Sequence, residues 1–141
     1  MGDPLSISAS VAGLISLAIQ VSQLLYTQIQ AAKHAPGDAK ELLDELRGIA
    51  SVLKQLEAFL SAQGIHERKF GANSMLTMAI QGCTVRILDM QGRVEKLNTH
   101  GVGGIIERGK WFYKQDEHRE VVAYLHRSLT IFQLCLSIEG M

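Results

Sequence analysis

The sequence predicts an all-α protein, specifically an antiparallel four-helix bundle. Only two prolines occur, Pro4 and Pro36, so long stretches of the chain can be helical without interruption. No stretch alternates apolar and polar residues as a half-buried strand does. Instead, four segments carry apolar residues at alternating spacings of three and four, which places them on one face of a helix. The 141 residues fit one such domain, predicted to cover residues 1–141.

The first predicted helix runs from Pro4 to Ala32, and none of these 29 consecutive residues is Asp, Glu, Lys, Arg or His. Asp3 can cap the helix, and Pro4 suits its first position because the missing amide hydrogen has no partner there. Apolar residues form one stripe with a second group beside it: Ile7, Val11, Leu14, Ala18, Val21 and Leu25, then Ile15, Leu17, Ile19 and Leu24. A helix that is apolar over most of its circumference is normally buried in protein or in membrane.

Three further helices follow. The second is predicted to open at Asp38, with Glu41 completing a capping box, and to stop at Gly64. The third is capped by Ser74, and the fourth begins near Asp116, after a glycine-rich linker over 100–115 with room for a short extra helix. The predicted core seams are Leu42, Leu46, Ile49, Leu53, Leu56 and Leu60; then Leu76, Ile80, Cys83, Ile87, Met90, Val94 and Leu97; then Val122, Leu125, Leu129, Phe132 and Leu136.

Charge and cysteine content limit the class of protein. Fourteen basic residues balance fourteen acidic ones, which argues against nucleic acid as a partner, because that affinity needs an excess of Lys and Arg. Cys83 and Cys135 are too few for a disulfide framework, and no cleavable secretory signal is recognisable. We therefore expect a protein of the reducing cytoplasm, with both cysteines acting as small buried apolar groups.

The sequence offers little catalytic chemistry. Residues 104–110 satisfy most of a phosphate-loop pattern, but Trp111 replaces the Ser or Thr and no strand precedes it, which favours an ordinary linker. The five histidines are scattered over separate loops and helices: His34, His66, His100, His118 and His126. Neither cysteine has a partner at ligand spacing, so no metal site is expected. We predict no enzyme activity, no catalytic residues and no cofactor.

Small side chains form a strip on the first helix. Ser8, Ala12 and Ser16 step by four, with Ala9 and Gly13 beside them, a spacing that lets helices approach closely in membranes. In a soluble bundle the same strip would seat the helix against bulky neighbours, so both interpretations stay open.

Basic residues on the third helix leave a similar choice. Arg86 and Arg93 share one side of it, with Lys96 just beyond. The interleaved Asp89 and Glu95 make a solvated face the simpler interpretation, and a site for anionic lipid head groups is the sharper one.

The segment Asp3–Ile15 reads Asp-Pro-Leu-Ser-Ile-Ser-Ala-Ser-Val-Ala-Gly-Leu-Ile. It resembles the start of the fungal HeLo-like domains, the N-terminal domains of many fungal STAND receptors (NLR-like proteins). These typically open Met-Asp-Pro-Leu-Ser and continue with an Ala/Ser-rich apolar run and a Gly-Leu. The resemblance covers the whole chain in outline, including Trp111 before the last helix, and the extra Gly2 departs from the family's opening.

The resemblance implies a bundle related to HeLo and similar to that of the mixed lineage kinase domain-like protein. Its implied function is a cell-death effector of fungal innate immunity or heterokaryon incompatibility, in which the N-terminal helix leaves the bundle and permeabilises membrane on oligomerisation. The implied inserting residues are Leu5, Ile7, Val11, Ala12, Gly13, Leu14, Ile15, Leu17, Ala18 and Ile19.

The resemblance also implies partners and a location. The partners are membrane phospholipids, further copies of the chain, and a C-terminal NACHT/NB-ARC or amyloid-motif region of the full-length protein. The domain would be cytoplasmic and relocate to the plasma membrane on activation. An adaptor bundle that associates homotypically, without membrane activity, is the competing hypothesis.

Overall fold

A computed structural model describes the backbone of residues 4–31, 37–62, 75–99 and 114–139. Side chains are described within these ranges at 9–31, 37–60, 75–96 and 114–137. The described residues form four α-helices: α1 (Pro4–Ala31), α2 (Gly37–Ala62), α3 (Met75–Thr99) and α4 (Gln115–Glu139). Among them only Lys114 lies outside a helix, which confirms the all-α prediction for this part of the chain. The proposed extra helix in the 100–115 linker falls almost wholly outside the described residues.

The helix boundaries lie within about two residues of those predicted, the usual uncertainty at helix ends. Pro4 is the first residue of α1, as its missing amide hydrogen predicts. Helix α2 begins at Gly37, so Asp38 lies in its first turn rather than before it. A carboxylate there still stabilises the helix, because it faces the positive end of the helix dipole.

The four helices pack in a ring in which α1 contacts α2 and α3, and α4 contacts the same two. Glu41 near the start of α2 meets His118 near the start of α4, so these two neighbours run in the same direction. Arg93 near the end of α3 meets Glu117 near the start of α4, which makes that pair antiparallel. The order around the bundle is therefore α1, α2, α4, α3, with α2 and α3 across a diagonal.

The core is built from the predicted seams of the first three helices. All six seam residues of α2 are at most 1% exposed, and the α3 seam is buried from Leu76 to Val94. On α1 the stripe from Val11 to Leu25 is buried as well. The side chains of Ile7 and Leu97, also placed on these seams, lie outside the described residues. Regular three-four spacing was therefore a reliable guide to the core wherever the seam is wholly apolar.

The predicted seam of α4 was wrong by one residue at three of its five positions. Leu125 and Phe132 are fully buried as expected, but Val122, Leu129 and Leu136 are only partly buried. The buried row consists of His118, Val121, Leu125, Ser128, Phe132 and Cys135. Two polar residues in that row hid it from a search for apolar periodicity. Ser128 is tolerated there because its hydroxyl donates a hydrogen bond to the Tyr124 carbonyl at 3.1 Å.

Candidate functional site

The outer face of α1 is a continuous strip without charge. Its exposed residues step by four and three along the helix: Ala9, Gly13, Ser16, Gln20, Gln23, Thr27 and Gln30. Such a face normally carries Lys, Glu, Asp or Arg, which solvate a surface helix. This strip presents small and amide-bearing side chains to water, with the exposed Tyr26 beside it, so the exposed side of α1 lacks the charges that would hold it out of a membrane.

The inner face of α1 contains most of the residues expected to insert. Val11, Leu14, Ile15 and Ala18 are at most 7% exposed. Ala12, Leu17 and Ile19 are partly buried, while Gly13 lies on the outer strip. The side chains of Leu5 and Ile7 fall outside the described residues. In the bundle, therefore, the most apolar side of α1 is sheltered by protein and its uncharged side faces water.

The length of α1 is sufficient to span a bilayer. Among the described residues, Ala9–Ala31 is the one segment that is long and apolar enough to cross a membrane. The core helix of a soluble protein can also meet this criterion. The 23 residues of Ala9–Ala31 measure about 34 Å at about 1.5 Å per residue, against a hydrocarbon core of about 30 Å. In the bundle, 39% of the most apolar part of this segment is buried and the rest is partly buried or exposed.

Two of the polar side chains on α1 are already bonded within the helix. The Ser22 hydroxyl donates to the Ala18 carbonyl at 2.7 Å, and the Thr27 hydroxyl donates to the Gln23 carbonyl at 2.9 Å. These bonds do not depend on water or on a neighbouring helix, so they can persist in hydrocarbon. They reduce the cost that an unsatisfied hydroxyl would impose there.

A groove of about 660 Å³ lies on the surface between α1 and α3, beside their contact. The α1 wall includes Gly13, Ser16 and Gln20, and the α3 wall includes Val85 and Leu88, which are 67% and 51% exposed. Part of the predicted small-residue strip thus opens this groove instead of seating α1 tightly on a neighbour. Ala12 is partly buried, and the side chain of Ser8 is not among those described.

A second groove, of about 450 Å³, lies between α1 and α2. Its α1 side is formed partly by Tyr26 and Thr27, and its α2 side by Arg47, Ser51 and Lys54. The Arg47 guanidinium lies 5.2 Å from the centre of the Tyr26 ring, a cation–π distance. This groove, which sequence patterning did not single out, places two cations beside the C-terminal half of α1.

The predicted lipid head-group residues of α3 do not form one open basic patch. Arg93 donates to the Asp89 carboxylate at 2.9 Å and lies 3.9 Å from Glu117. The Arg86 guanidinium stacks 4.6 Å from the centre of the Tyr124 ring, while Lys96 is exposed near the end of α3. Carboxylates beside Arg93 weaken its attraction for an anion, so the α3 lipid site stays a prediction.

A cluster that sequence analysis missed joins the start of α2 to the start of α4. The His118 Nε2 atom lies 2.7 Å from Glu41 Oε1 and 3.7 Å from Asp38 Oδ1. His118 is 3% exposed, whereas the two carboxylate side chains are about half exposed. His118 and Glu41 are 77 residues apart in the chain, so their spacing gave no signal of a joint site.

Cysteine chemistry is suppressed in the core. Burial raises the pKa of the Cys83 thiol to about 12, and a side-chain hydrogen bond with Ser128 offsets only part of that effect. A thiol that keeps its proton at neutral pH is a poor nucleophile and a poor metal ligand. Cys135 is also buried and neither cysteine is in a disulfide, which agrees with the prediction that both act as small buried apolar groups.

Comparison with known proteins identifies relatives. A family model described as "Pigment biosynthesis cluster protein PigL N-terminal" matches residues 2–127. The chain is also 28% identical over 95 residues to azaphilone pigments biosynthesis cluster protein L of Monascus ruber. That alignment covers 67% of this chain and 20% of the relative, so it spans about a fifth of the relative's length. No solved structure gives a significant match. These matches do not test the HeLo-like resemblance, which stays a hypothesis.

Proposed function

This chain belongs to the family of PigL N-terminal domains, and on the separate ground of its first helix we propose that it is a membrane-targeting effector domain. The bundle is its latent state, and α1 is the segment that enters the membrane. The observation that carries the proposal is the outer face of α1, which is exposed along its described length and carries no charge.

The burial pattern of α1 supports the transfer of its inner face from the protein core to lipid. Val11, Leu14, Ala18, Val21 and Leu25 are at most 1% exposed in the bundle. Each of these Val and Leu side chains gains on the order of 1.5–3 kcal/mol from leaving water, and lipid supplies the same gain as the protein core. The inner face therefore loses little on transfer. The outer face, being uncharged, does not oppose it strongly.

The packing of α1 is compatible with release. It contacts α2 and α3 along one side and leaves its outer strip to solvent. Departure would expose apolar residues of α2 and α3 to water, so release needs compensation from membrane binding and from self-association. Oligomerisation of the full-length protein on activation would supply the self-association. The HeLo-like domains, which the N-terminal motif resembles, are thought to be activated in this way.

The finer biological role rests on that resemblance. We propose a cell-death effector of fungal innate immunity or heterokaryon incompatibility, cytoplasmic at rest and at the plasma membrane when active. A NACHT/NB-ARC or amyloid-motif region would provide the trigger. Membrane phospholipids are the proposed partner, and balanced charge disfavours nucleic acid. The role requires no enzyme activity and no cofactor.

The test places a charge on the outer face, where the fold tolerates it. Gln20 is exposed and lies at the centre of the Ala9–Ala31 segment. A Lys there costs about 2.5–3.5 kcal/mol on insertion, which weakens insertion on the order of 100-fold. We expect the intact chain to release dye from vesicles of phosphatidylcholine and phosphatidylserine, and Gln20→Lys to abolish release.

Gln55→Lys is the matched control, because Gln55 is exposed on α2 and the substitution is chemically identical. Both variants should unfold at the wild-type denaturant concentration. The membrane proposal fails if the wild-type chain, oligomerised through a fused inducible dimerisation domain, releases no dye. It also fails if Gln20→Lys and Gln55→Lys are equally active.

The groove between α1 and α3 favours one other candidate, a homotypic adaptor. Val85 and Leu88 are large apolar side chains left exposed beside the small residues of α1. A second copy of the chain that covered them would bury apolar surface without any helix leaving the bundle. Concentration-dependent dimers or oligomers, together with intact vesicles, would support this candidate over the membrane effector.

A further inference from the structure

The histidine cluster at the start of α2 and α4 has the composition of a divalent metal site. Asp38 and Glu41 lie three residues apart on α2, so their side chains share one side of the first two turns. His118 approaches them from α4. One oxygen from each carboxylate and one imidazole nitrogen lie within 4.8 Å of one another.

The donor set matches zinc in type and in charge. Zinc binds imidazole nitrogen and carboxylate oxygen, usually with tetrahedral geometry. Two ionised carboxylates cancel the two positive charges of the ion, and a neutral imidazole adds the third donor. His118 is 3% exposed, so its Nε2 atom is held in the cluster by the packing around the ring.

The distances are close to those that a bound ion would need. Bonds of about 2.0–2.1 Å to a tetrahedral zinc place neighbouring donors about 3.3 Å apart. The His118 Nε2 atom lies 2.7 Å from Glu41 Oε1 and 3.7 Å from Asp38 Oδ1, on either side of that value. The carboxylate side chains are 55% and 48% exposed, so both can shift by half an ångström without disturbing the core.

We propose that Asp38, Glu41 and His118 bind a Zn²⁺ ion that joins α2 to α4. The half-exposed carboxylates leave the fourth position on the solvent side, where water would complete the tetrahedron. Since the three ligands come from two helices that are distant in sequence, the ion would stabilise the folded bundle relative to the unfolded chain. This proposal is independent of membrane activity.

A second histidine–carboxylate pair provides an internal control. His126 Nδ1 lies 3.6 Å from Glu45 Oε1, further along the same two helices. His126 is 65% exposed and no second carboxylate joins the pair among the described residues. Two donors of which one is mobile should bind zinc far more weakly than the three-donor cluster.

The experiment measures Zn²⁺ affinity of the intact chain at neutral pH, by competition with a chromophoric chelator. Glu41→Gln and Asp38→Asn should each weaken binding about tenfold or more, and His118→Gln should remove one equivalent. Glu45→Gln and His126→Gln should leave that equivalent unchanged. The carboxylate variants alter half-exposed side chains, so they test the site even if His118→Gln unfolds the bundle.

Thermal unfolding supplies a second measurement. At about 100 times the dissociation constant, zinc should raise the unfolding midpoint of the wild-type chain by about 5–10 °C, and that of Glu41→Gln much less. If the bound zinc ion were lost only when His34, His66 or His100 is replaced, the ion would lie elsewhere, and this result would overturn the proposal. So would zinc affinity that is the same in wild type, Asp38→Asn and Glu41→Gln.

Discussion

The phenol of Tyr124 on α4 fills the space that a side chain at Gly82 on α3 would need. A β-carbon built at Gly82 would collide with the Tyr124 hydroxyl oxygen. Arg86 and Arg127 lie over the ring, at 4.6 and 5.7 Å from its centre. The glycine is therefore what allows α3 and α4 to approach with a tyrosine and its two cations between them.

Replacing Gly82 with alanine should destabilise the bundle. Although alanine favours a helix over glycine by about 0.5–1 kcal/mol, the collision forces Tyr124 out and disturbs both cation–π contacts. We expect a net loss of about 1–3 kcal/mol, the usual cost of overpacking, measured by urea denaturation. Gly92→Ala on the same helix is the control, since nothing lies within 4 Å of its β-carbon. It should stabilise the protein. Equal changes in stability for Gly82→Ala and Gly92→Ala would contradict the close approach of Tyr124 to Gly82.

The Cys83 thiol should make stability fall at alkaline pH. Burial raises its folded-state pKa to about 12, from 9.0 in the absence of burial. Above about pH 9 the unfolded chain loses this proton while the folded chain keeps it, so the free energy of unfolding decreases. The slope contributed by this one group is about 1.4 kcal/mol per pH unit until the folded pKa is reached.

Cys83→Ala isolates that slope from the ionisation of Lys and Tyr in the same pH range. The variant should be less stable at pH 7, because it leaves a cavity at a fully buried position. Between pH 9 and 11, however, its unfolding free energy should decline more gently than that of the wild type. Parallel curves from urea denaturation at each pH would show that Cys83 does not contribute.

Among the residues that the structure describes, Phe132 is the largest fully buried side chain, and its truncation tests the corrected seam of α4. Phe132→Ala should cost about 3–5 kcal/mol, from lost burial and from the cavity left behind. Leu134, two residues on, is 45% exposed, so Leu134→Ala should change stability by no more than about 0.5 kcal/mol. Thermal unfolding of both variants, monitored by circular dichroism, separates the two faces. Similar losses of stability in the two variants would show that Phe132 does not lie on the buried face of α4.

These seams show how far apolar periodicity alone could predict the fold. On α2 the predicted seam contains only Leu and Ile and all six of its members are buried, although spacing missed the buried Ala39, Leu43, Ala50 and Val52 beside it. On α4 the row includes His118 and Ser128, whose polarity conceals them although burial is nearly complete. The helical spacing was the same in both cases. Ser128 is satisfied within its own helix, whereas the carboxylates that His118 contacts lie on α2, so the sequence around His118 does not show why its burial is tolerated.

The candidate sites were less predictable because they depend on contacts between helices. The uncharged character of α1 was evident from the sequence, but which of its sides faces water depends on α2 and α3. Likewise, Asp38 and Glu41 were interpreted as local helix-capping residues. Only the parallel packing of α2 and α4 brings the His118 ring to their carboxylates.

The groove between α1 and α3 gives the last prediction. If copies of the chain associate through it, Val85→Asn and Leu88→Asn should weaken self-association without lowering stability, because both side chains are more than half exposed. Losing two exposed apolar contacts of this size should raise the dissociation constant about tenfold or more. Sedimentation velocity over a range of concentrations measures this. Leu134→Asn on α4 introduces the same polar group away from the groove. An equal effect from Leu134→Asn would show that association depends on general surface apolarity and not on this groove.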